Sequence, residues 1–407
     1  HLYGTDIFVW SSCIGDQSAD PNRHSSIRFK GKRTAGSMTP DKPLRLGEFV
    51  SLMALMTSLL ALSIDAMLPA VGDIGRELGT TAPNQPQLVV LALFFGLALG
   101  QFIYGPVSDS TGRKKPIFTG LAIYLVGTGL CILSRDFDTM LVGRFLQGLG
   151  AAGPRIVTVA LVRDQFEGRA MARIMSLIMA VFIIVPAIAP AMGQSILAFA
   201  HWRAIFGLLL GLSLIALIWF GLRQPETLPT NRRIPWSVRR LASSMAKAMR
   251  TRTASGYALA AGIIFGGFIG YLTSAPQIFQ QQYGVPHLFP LFFGLLSLAI
   301  GAAALLNARL VLRFGMHVLS HTALQVQCAV SIVTAIAAWH LPGGLPLWAF
   351  MAWGGIAFFC QGLLFGNFNA IAMEPLGQIA GVGAAMVGIV TSFLSLALGT
   401  VIAQAYD

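Results

Sequence analysis

The amino-acid sequence predicts an all-α membrane protein with about eleven membrane-spanning helices, and three observations lead to this fold class. First, 55% of the 407 residues are hydrophobic and 11% are charged, whereas a soluble protein carries about 25% charged residues. Second, the apolar residues form runs of roughly 20 or more, which can cross a hydrocarbon core of about 30 Å. Third, no run alternates with period 2, so helices rather than barrel strands must satisfy the backbone hydrogen bonds in lipid.

The predicted helices follow one another through short polar turns. The eleven apolar runs are 47–71, 86–108, 115–134, 138–162, 171–199, 202–222, 253–279, 287–312, 316–339, 345–367 and 378–405. One long polar interruption, 223–252, separates a predicted N-terminal six-helix bundle over 46–222 from a second predicted bundle over 253–407. Residues 1–45 are polar, lack the apolar core of a signal peptide and are predicted to form a disordered tail.

The distribution of charge predicts how these helices are oriented. The net charge of +12 would by itself allow nucleic-acid binding. Most of the 28 lysines and arginines, however, lie in alternate turns, and the positive-inside rule then places the N-terminus in the cytoplasm. We therefore expect the lipid bilayer, and no nucleic acid, as a partner. The basic segment 223–252 fits either an amphipathic helix on the inner membrane surface or a solvated linker.

The cysteines give no sign of a metal site or a disulfide framework. Cys13, Cys131, Cys328 and Cys360 have neither metal-ligand nor paired spacing. The sequence also contains no nucleotide-binding loop, nucleophile elbow or cluster of metal ligands. These observations predict a protein without metal or cofactor and argue against an enzyme.

The turn between predicted helices 2 and 3 is short, charged and punctuated by glycines. It has the sequence Gly105-Pro-Val-Ser-Asp109-Ser-Thr-Gly112-Arg113-Lys-Lys. Gly105 is expected to let helix 2 approach a neighbour closely, and Gly112 to permit the tight turn. Asp109 has two candidate partners, which are Arg113 four residues on and the positive N-terminal end of a facing helix.

Two charged residues lie within apolar helices. Asp65 belongs to Ser-Ile-Asp65-Ala-Met-Leu-Pro in predicted helix 1, and Arg144 to Arg144-Phe-Leu-Gln147-Gly148 in predicted helix 4. Each lies about five or six residues from the outer end of its helix, so their depths are similar. A charge inside a membrane costs several kcal/mol unless it is paired. We therefore expect Asp65 to be a group that can bind and release a proton, and Arg144 to influence that proton binding. A static ion pair and a snorkelling Arg144 are the alternatives.

Proline and glycine in predicted helix 5, and amides in predicted helices 7 and 10, are further candidates. Pro190 removes a helical hydrogen bond and bends the helix, while Gly193 allows close contact. A kink without special function is the alternative. The candidate residues of a substrate cavity are Gln277, Gln281, Gln361 and Asn367.

These motifs resemble those of the major facilitator superfamily of secondary transporters. The turn 105–116 is similar to the superfamily's loop between helices 2 and 3, the stretch 144–148 to its motif in helix 4, and 186–194 in part to its antiporter signature. The stretches 62–70, 161–166 and 373–376 are similar to the bicyclomycin-resistance (Bcr/CflA) family of drug exporters. The resemblance extends from about residue 45 to the end.

The resemblance implies a major facilitator fold of two six-helix bundles and export of drugs or small molecules by proton antiport across a bacterial inner membrane. It also implies a cytoplasmic latch, in which the turn 105–113 meets helix 11. Since the family has twelve helices and no apolar run follows 378–405, helix 12 is expected to be absent from a truncated chain. We expect a monomer. An exporter of an endogenous metabolite and a transport-inactive remnant or sensor are the alternative functions.

Overall fold

The computed structural model describes residues 44–233, 245–246, 248–342 and 344–405. All regular secondary structure in this part of the chain is helical, and eleven of its helices are long and apolar enough to cross a membrane. The predicted fold class and the predicted eleven helices are therefore confirmed. Residues 1–43 of the predicted tail, and the centre of the predicted linker, lie outside the described residues.

The spanning helices are labelled α1–α11 in chain order. They are α1 (Leu46–Asp65), α2 (Leu88–Thr111), α3 (Lys114–Leu133), α4 (Phe137–Gln165), α5 (Gly168–Leu197), α6 (Arg203–Arg223), α7 (Arg252–Gln277), α8 (Phe289–Phe314), α9 (Met316–His340), α10 (Leu347–Met373) and α11 (Ala380–Gln404). A turn of 3-10 helix, Leu68–Ala70, and a short helix, Val71–Glu77, follow α1. A π-helical turn, Ile278–Gln282, follows α7.

Local sequence sets several of the helix ends. Gly112 follows the last residue of α2 with a φ of 99°, and Gly315 follows α8 with a φ of 78°. Both angles lie in the left-handed region that favours glycine. At the start of α4 the Asp136 carboxylate accepts a hydrogen bond from the backbone N–H of Thr139 at 2.8 Å, which satisfies one of the free donors of the first turn.

Helix α4 packs closely against α2 and α3 through its glycines. A Cβ atom on Gly148 would collide with the backbone of Leu93 in α2, and one on Gly150 would collide with the backbone of Tyr124 in α3. Small residues let helices approach in this way in a membrane, where lipid supplies little hydrophobic drive for association. The glycine-rich stretch predicted in helix 4 thus fixes the spacing of three helices.

The substitution Gly148→Ala should destabilise the N-terminal half, α1–α6, by about 1–3 kcal/mol, because the new methyl group meets a backbone that cannot move without shifting a helix. Thermal unfolding of the purified protein in detergent measures this loss. Gly211→Ala in α6 is the matched control, since no atom lies within 4 Å of the Cβ it would add. Equal melting temperatures for Gly148→Ala and the native protein would contradict the packing.

The C-terminal half, α7–α11, pairs α7 with α11 and places α10 against both α8 and α9. A Cβ on Gly266 of α7 would lie 2.8 Å from the Leu398 Cβ of α11, so these two helices are also in close contact. The two halves meet where α2 contacts α11 and where α5 contacts α8. A single cluster of buried apolar residues continues from the first half into the second.

Candidate functional site

Arg144 lies wholly inside the N-terminal half, with no exposed surface. Its guanidinium donates hydrogen bonds to Val89 O at 3.1 Å, to Gln147 Oε1 at 2.5 Å and to Ser63 O at 3.0 Å. The ring of Phe206 in α6 lies 5.7 Å from the guanidinium carbon. Arg144 therefore does not snorkel to the membrane surface. All of these partners are neutral, and its charge is held by two backbone carbonyl groups and one amide.

A network of hydroxyl groups surrounds Arg144 and joins α1, α3 and α4. Gln147 Nε2 donates to Thr128 Oγ1 at 2.9 Å. The Ser63 hydroxyl lies 2.6 Å from the Tyr124 hydroxyl. Sequence reasoning missed Ser63, Tyr124 and Thr128. Their signal was faint: Tyr124 and Thr128 are one helical turn apart in an apolar run, and Ser63 precedes Asp65 by two residues.

Asp65 is the last residue of α1 and is 5% exposed. Among the described residues its carboxyl group forms no hydrogen bond and no ion pair, so the static pair with Arg144 is absent in this conformation. The Tyr271 side chain of α7 lies within electrostatic range of Asp65. The Tyr271 hydroxyl is itself buried and has no hydrogen-bond partner in the part of the chain that the structure describes. Two unsatisfied polar groups thus face the junction between the two halves.

Helix α5 reaches the same junction through Gly193. A Cβ atom on Gly193 would collide with the backbone carbonyl group of Ala66, the residue after Asp65. Pro190 lies inside α5, three residues earlier, and cannot donate a backbone hydrogen bond there. The close contact predicted for Gly193 is therefore made with the turn that follows α1, which fixes the position of Asp65.

Helices α2 and α3 are joined at the end of the bundle that carries Arg113, Lys114 and Arg163, which we call the basic end. Arg113 forms ion pairs with Asp109 at 2.6 Å and with Asp164 at 2.7 Å. Of the two partners predicted for Asp109 the structure therefore provides Arg113. Within the described residues no hydrogen bond or ion pair links Asp109 to α11. Sequence reasoning had not identified Asp164 as a partner.

The expectation that Gly105 lets helix 2 approach a neighbouring helix closely is wrong for this conformation. Among the described residues, no atom lies within 4 Å of the position that a Cβ on Gly105 would take. Glycine is therefore not required there by a neighbouring helix in this conformation, because this side of α2 has no helix packed closely against it. Gly112, in contrast, adopts the positive φ that the tight turn requires.

Glu226 anchors the segment after α6 to the turn between α2 and α3. One carboxylate oxygen accepts hydrogen bonds from the backbone N–H groups of Arg113, Thr227 and Leu228, and the other accepts from Lys114 N at 3.0 Å. Partial burial would raise the pKa of Glu226, but the four backbone donors outweigh it and lower this pKa below its ordinary value. Glu226 is therefore ionised at neutral pH.

The substitution Glu226→Gln should speed hydrogen exchange of the Arg113 and Lys114 backbone amides by about 10-fold, because a neutral amide is a weaker acceptor than a carboxylate. In the native protein the lowered pKa means that this protection is full above the unfolded pKa and is lost as the pH falls through the folded value. Exchange measured by mass spectrometry against pH checks both points. Glu374→Gln, far along the sequence in the second half, is the control. Unchanged exchange in Glu226→Gln would refute the anchor.

Two of the amides predicted to line a cavity bind neighbouring helices. Gln361 of α10 is 6% exposed and donates to the backbone carbonyl group of Ile264 in α7 at 3.1 Å. Asn367 of α10 and Asn307 of α8 exchange two hydrogen bonds of 3.0 and 3.1 Å. In this conformation both side chains hold helices of the C-terminal half together.

The other two predicted amides lie at the end remote from the basic end, which we call the opposite end. Gln277 donates to Pro83 O at 3.0 Å and to Asn84 Oδ1 at 3.2 Å, and it accepts a hydrogen bond from Gln87. These bonds join α7 to the start of α2. Gln281 lies exposed in the π-helical turn. Gln277 is therefore a contact between the two halves, and the structure does not bring the four amides together.

Among the described residues, hydrogen bonds between the halves occur at the opposite end and in the middle of the spans. Asn84 Nδ2 donates to the backbone carbonyl group of Gln404 at the end of α11, at 3.2 Å. Nearer the middle, the Ser392 hydroxyl of α11 donates a hydrogen bond to Gln101 Oε1 of α2 at 3.4 Å. Between Gln101 and the basic end, the described residues form no hydrogen bond between the halves. The conformation is thus one in which the halves are closed at the opposite end.

The fold and this arrangement of charged residues define a multi-pass membrane protein whose two helical halves meet around a buried carboxyl group. The chain belongs to the Major Facilitator Superfamily, whose family model matches residues 53–400. The superfamily places the protein among transporters rather than enzymes. Its predicted membership is confirmed.

Relatives and a solved structure agree with this assignment. The chain is 32% identical over 355 residues to the uncharacterised MFS-type transporter YdgK of Bacillus subtilis, with 86% of each chain covered. It is 30% identical over 364 residues to the bicyclomycin resistance protein homolog of Haemophilus influenzae, with 88% of this chain and 89% of that protein covered. The D-xylose-proton symporter shares the fold, with a TM-score of 0.68, 12% identity and coverage of 88% and 90% of the two chains. The predicted resemblance to the bicyclomycin-resistance family is also confirmed.

Proposed function

We propose that this protein exports drugs or other small molecules across a bacterial inner membrane in exchange for protons, with its N-terminus in the cytoplasm. The observation that carries the proposal is the Asp65 carboxyl group, which is buried where the two halves meet and has no partner among the described residues. The similarity to a bicyclomycin resistance protein homolog supports the substrate class. The bias of basic residues supports the orientation.

Asp65 is placed to bind a proton and substrate in turn. A carboxyl group holds its proton more tightly away from water and releases it when water or a cation approaches. Asp65 lies at the junction of α1, α5 and α7, so any separation of the halves changes its access to water. Binding of a substrate between the halves and retention of the proton on Asp65 would then exclude each other, which is the requirement for antiport.

Arg144 acts as a positioning residue in this proposal. Its bond to Ser63 O fixes the last turn of α1 two residues before Asp65. Because its three hydrogen-bond acceptors are neutral backbone or amide groups, it positions α1 without a direct bond that would neutralise Asp65. The Asp65 proton can then leave and return while α1 and α4 stay fixed to one another.

The cluster of Arg113, Asp109 and Asp164 serves as the latch of the proposed cycle. It ties the end of α2 to the end of α4, and Glu226 attaches the segment after α6 to the same turn. Because these bonds join the ends of α2 and α4 and the segment after α6, we expect the three to move together as one rigid body. Asp109 is 51% exposed at its side chain, so it remains open to a second partner when the basic ends approach each other.

Transport in everted bacterial membrane vesicles tests the proposed function. Respiration acidifies the vesicle interior, and a pH-sensitive dye reports the gradient. Adding bicyclomycin should dissipate the gradient in vesicles that contain the protein and leave it unchanged in vesicles that lack it. Uptake of bicyclomycin without any proton movement would contradict antiport. Neither uptake nor proton movement, with correctly inserted protein and a panel of other drugs, would contradict drug export.

A further inference from the structure

Arg155 is a second arginine within the span of α4, and the proposed mechanism leaves it unused. It lies eleven residues after Arg144, which is close to three helical turns, so both side chains leave the same face of α4. Arg144 is wholly buried and bonded, whereas Arg155 is partly exposed. Within the described residues the Arg155 guanidinium has no hydrogen bond and no ion pair.

The surroundings of Arg155 are suited to an aromatic ligand. The guanidinium carbon lies 5.9 Å from the centre of the Phe182 ring in α5. Thr158, one helical turn further along α4, is 1% exposed, and its hydroxyl group has no hydrogen-bond partner in the described part of the chain. An arginine fork and a buried hydroxyl group on one side of the helix are therefore donors that lack an acceptor.

The acidic residues of the neighbouring helices do not neutralise Arg155. On α1 the Glu48 carboxylate pairs with Arg223 at 2.7 Å. Asp65 lies at the level of Arg144, about 16 Å along the helix axis from the level of Arg155. Helix α5 contains no acidic residue. An unpaired arginine in a span is costly, and such residues face the bundle interior or a water-filled cavity and mark substrate pathways.

We infer that Arg155, Thr158 and Phe182 form an anion-binding subsite on the transport pathway, which takes a planar molecule bearing a carboxylate or an equivalent single negative charge. The inference rests on the proposed transport function and narrows its substrate class. The guanidinium offers two parallel N–H groups that match the two oxygens of a carboxylate. The Phe182 ring offers a face for an aromatic body, and the Thr158 hydroxyl supplies a third donor.

Binding of 2-naphthoate, compared with its neutral amide 2-naphthamide, tests the subsite. The protein is placed in nanodiscs of phosphatidylcholine, and affinities are measured by calorimetry. The native protein should bind naphthoate about 10-fold or more tightly than naphthamide, as expected for a charged hydrogen-bonded pair. Arg155→Gln should remove this preference and leave naphthamide binding unchanged. The control is Arg309→Gln, which alters an exposed arginine in α8. This variant should keep the preference for naphthoate.

Two further variants test whether any loss of binding in Arg155→Gln comes from the lost guanidinium and not from misfolding. Arg155→Lys keeps the charge but loses the fork, so part of the preference should remain. Thr158→Val should weaken naphthoate binding about 3-fold by removing one neutral hydrogen bond. Equal affinity of the native protein for the two probes, or a preference that Arg155→Gln and Arg155→Lys leave intact, would overturn the subsite.

The remaining outcomes separate this inference from the proposed function and from a lipid. If phosphatidylglycerol in the disc abolishes naphthoate binding, the anion is a lipid headgroup and the inference is wrong. If bicyclomycin moves protons in vesicles but naphthoate does not bind, the subsite is wrong and the exporter stands. If naphthoate binds through Arg155 and no tested drug moves protons, the subsite stands and proton antiport is wrong.

Discussion

Asp65→Asn should abolish substrate-dependent proton movement in everted vesicles and leave the protein folded and inserted. Asparagine has nearly the same volume as aspartate but cannot bind and release a proton, so exchange of proton for drug stops while packing is kept. Downhill movement of the drug should persist, because the path between the halves is unchanged. The measurement is dye-reported proton flux together with uptake of radiolabelled bicyclomycin.

A matched carboxylate shows whether the effect belongs to Asp65. Asp73→Asn alters an aspartate eight residues further on, which pairs with the exposed Arg76 in the short helix after α1, and it should leave proton flux at the native level. Asp65→Glu should restore part of the flux, since it keeps a titrating group one methylene further from α1. Full proton-coupled transport by Asp65→Asn would exclude Asp65 as the proton site.

Arg144→Met should destabilise the protein by about 3 kcal/mol or more. The change removes three buried hydrogen bonds, to Val89 O, Ser63 O and Gln147 Oε1, and a hydrogen bond to a charged group contributes about 1.5–3 kcal/mol. Arg144→Lys should recover only part of this, because one ammonium group cannot reach acceptors on α2, α1 and α4 together. Thermal unfolding in detergent measures both variants.

The control for Arg144 is an arginine that carries the same charge at the surface. Arg76 is 82% exposed at its side chain and pairs with Asp73, so Arg76→Met should change the free energy of unfolding by about 1 kcal/mol or less. If Arg144→Met melted at the native temperature, the hydrogen bonds assigned to Arg144 would not stabilise the bundle. Its role in positioning Asp65 would then be contradicted too.

Several features of the fold could be predicted from the sequence because they depend on local chemistry. Runs of apolar residues longer than the membrane is thick allow only helices, and all eleven predicted runs are helices in the structure. Gly112 lies at the predicted tight turn, where only a residue without a side chain adopts the observed φ easily. The motifs of α4 and the turn between α2 and α3 were sufficient to predict the superfamily.

The contacts of the candidate site could not be predicted in the same way. Asp65 and Arg144 were correctly expected at similar depth, since Ser63 and Arg144 are in contact. Depth does not determine direction, however, and Arg144 points to carbonyl groups while Asp65 points to the junction with α7. Likewise the amide side chain of Gln277 is of the type expected in a substrate cavity, but the packing of the two halves makes Gln277 a contact between them.

By itself the sequence determined the fold class, the number of helices, the superfamily and the charged residues worth attention. The reason is that hydropathy, helix length and turn chemistry are properties of contiguous residues. Only the tertiary structure decided that Arg113 also pairs with Asp164, that Glu226 anchors the following segment, and that Arg155 finds no acceptor among the described residues. Those relations connect residues tens to more than a hundred positions apart, and they depend on which faces of the helices pack together.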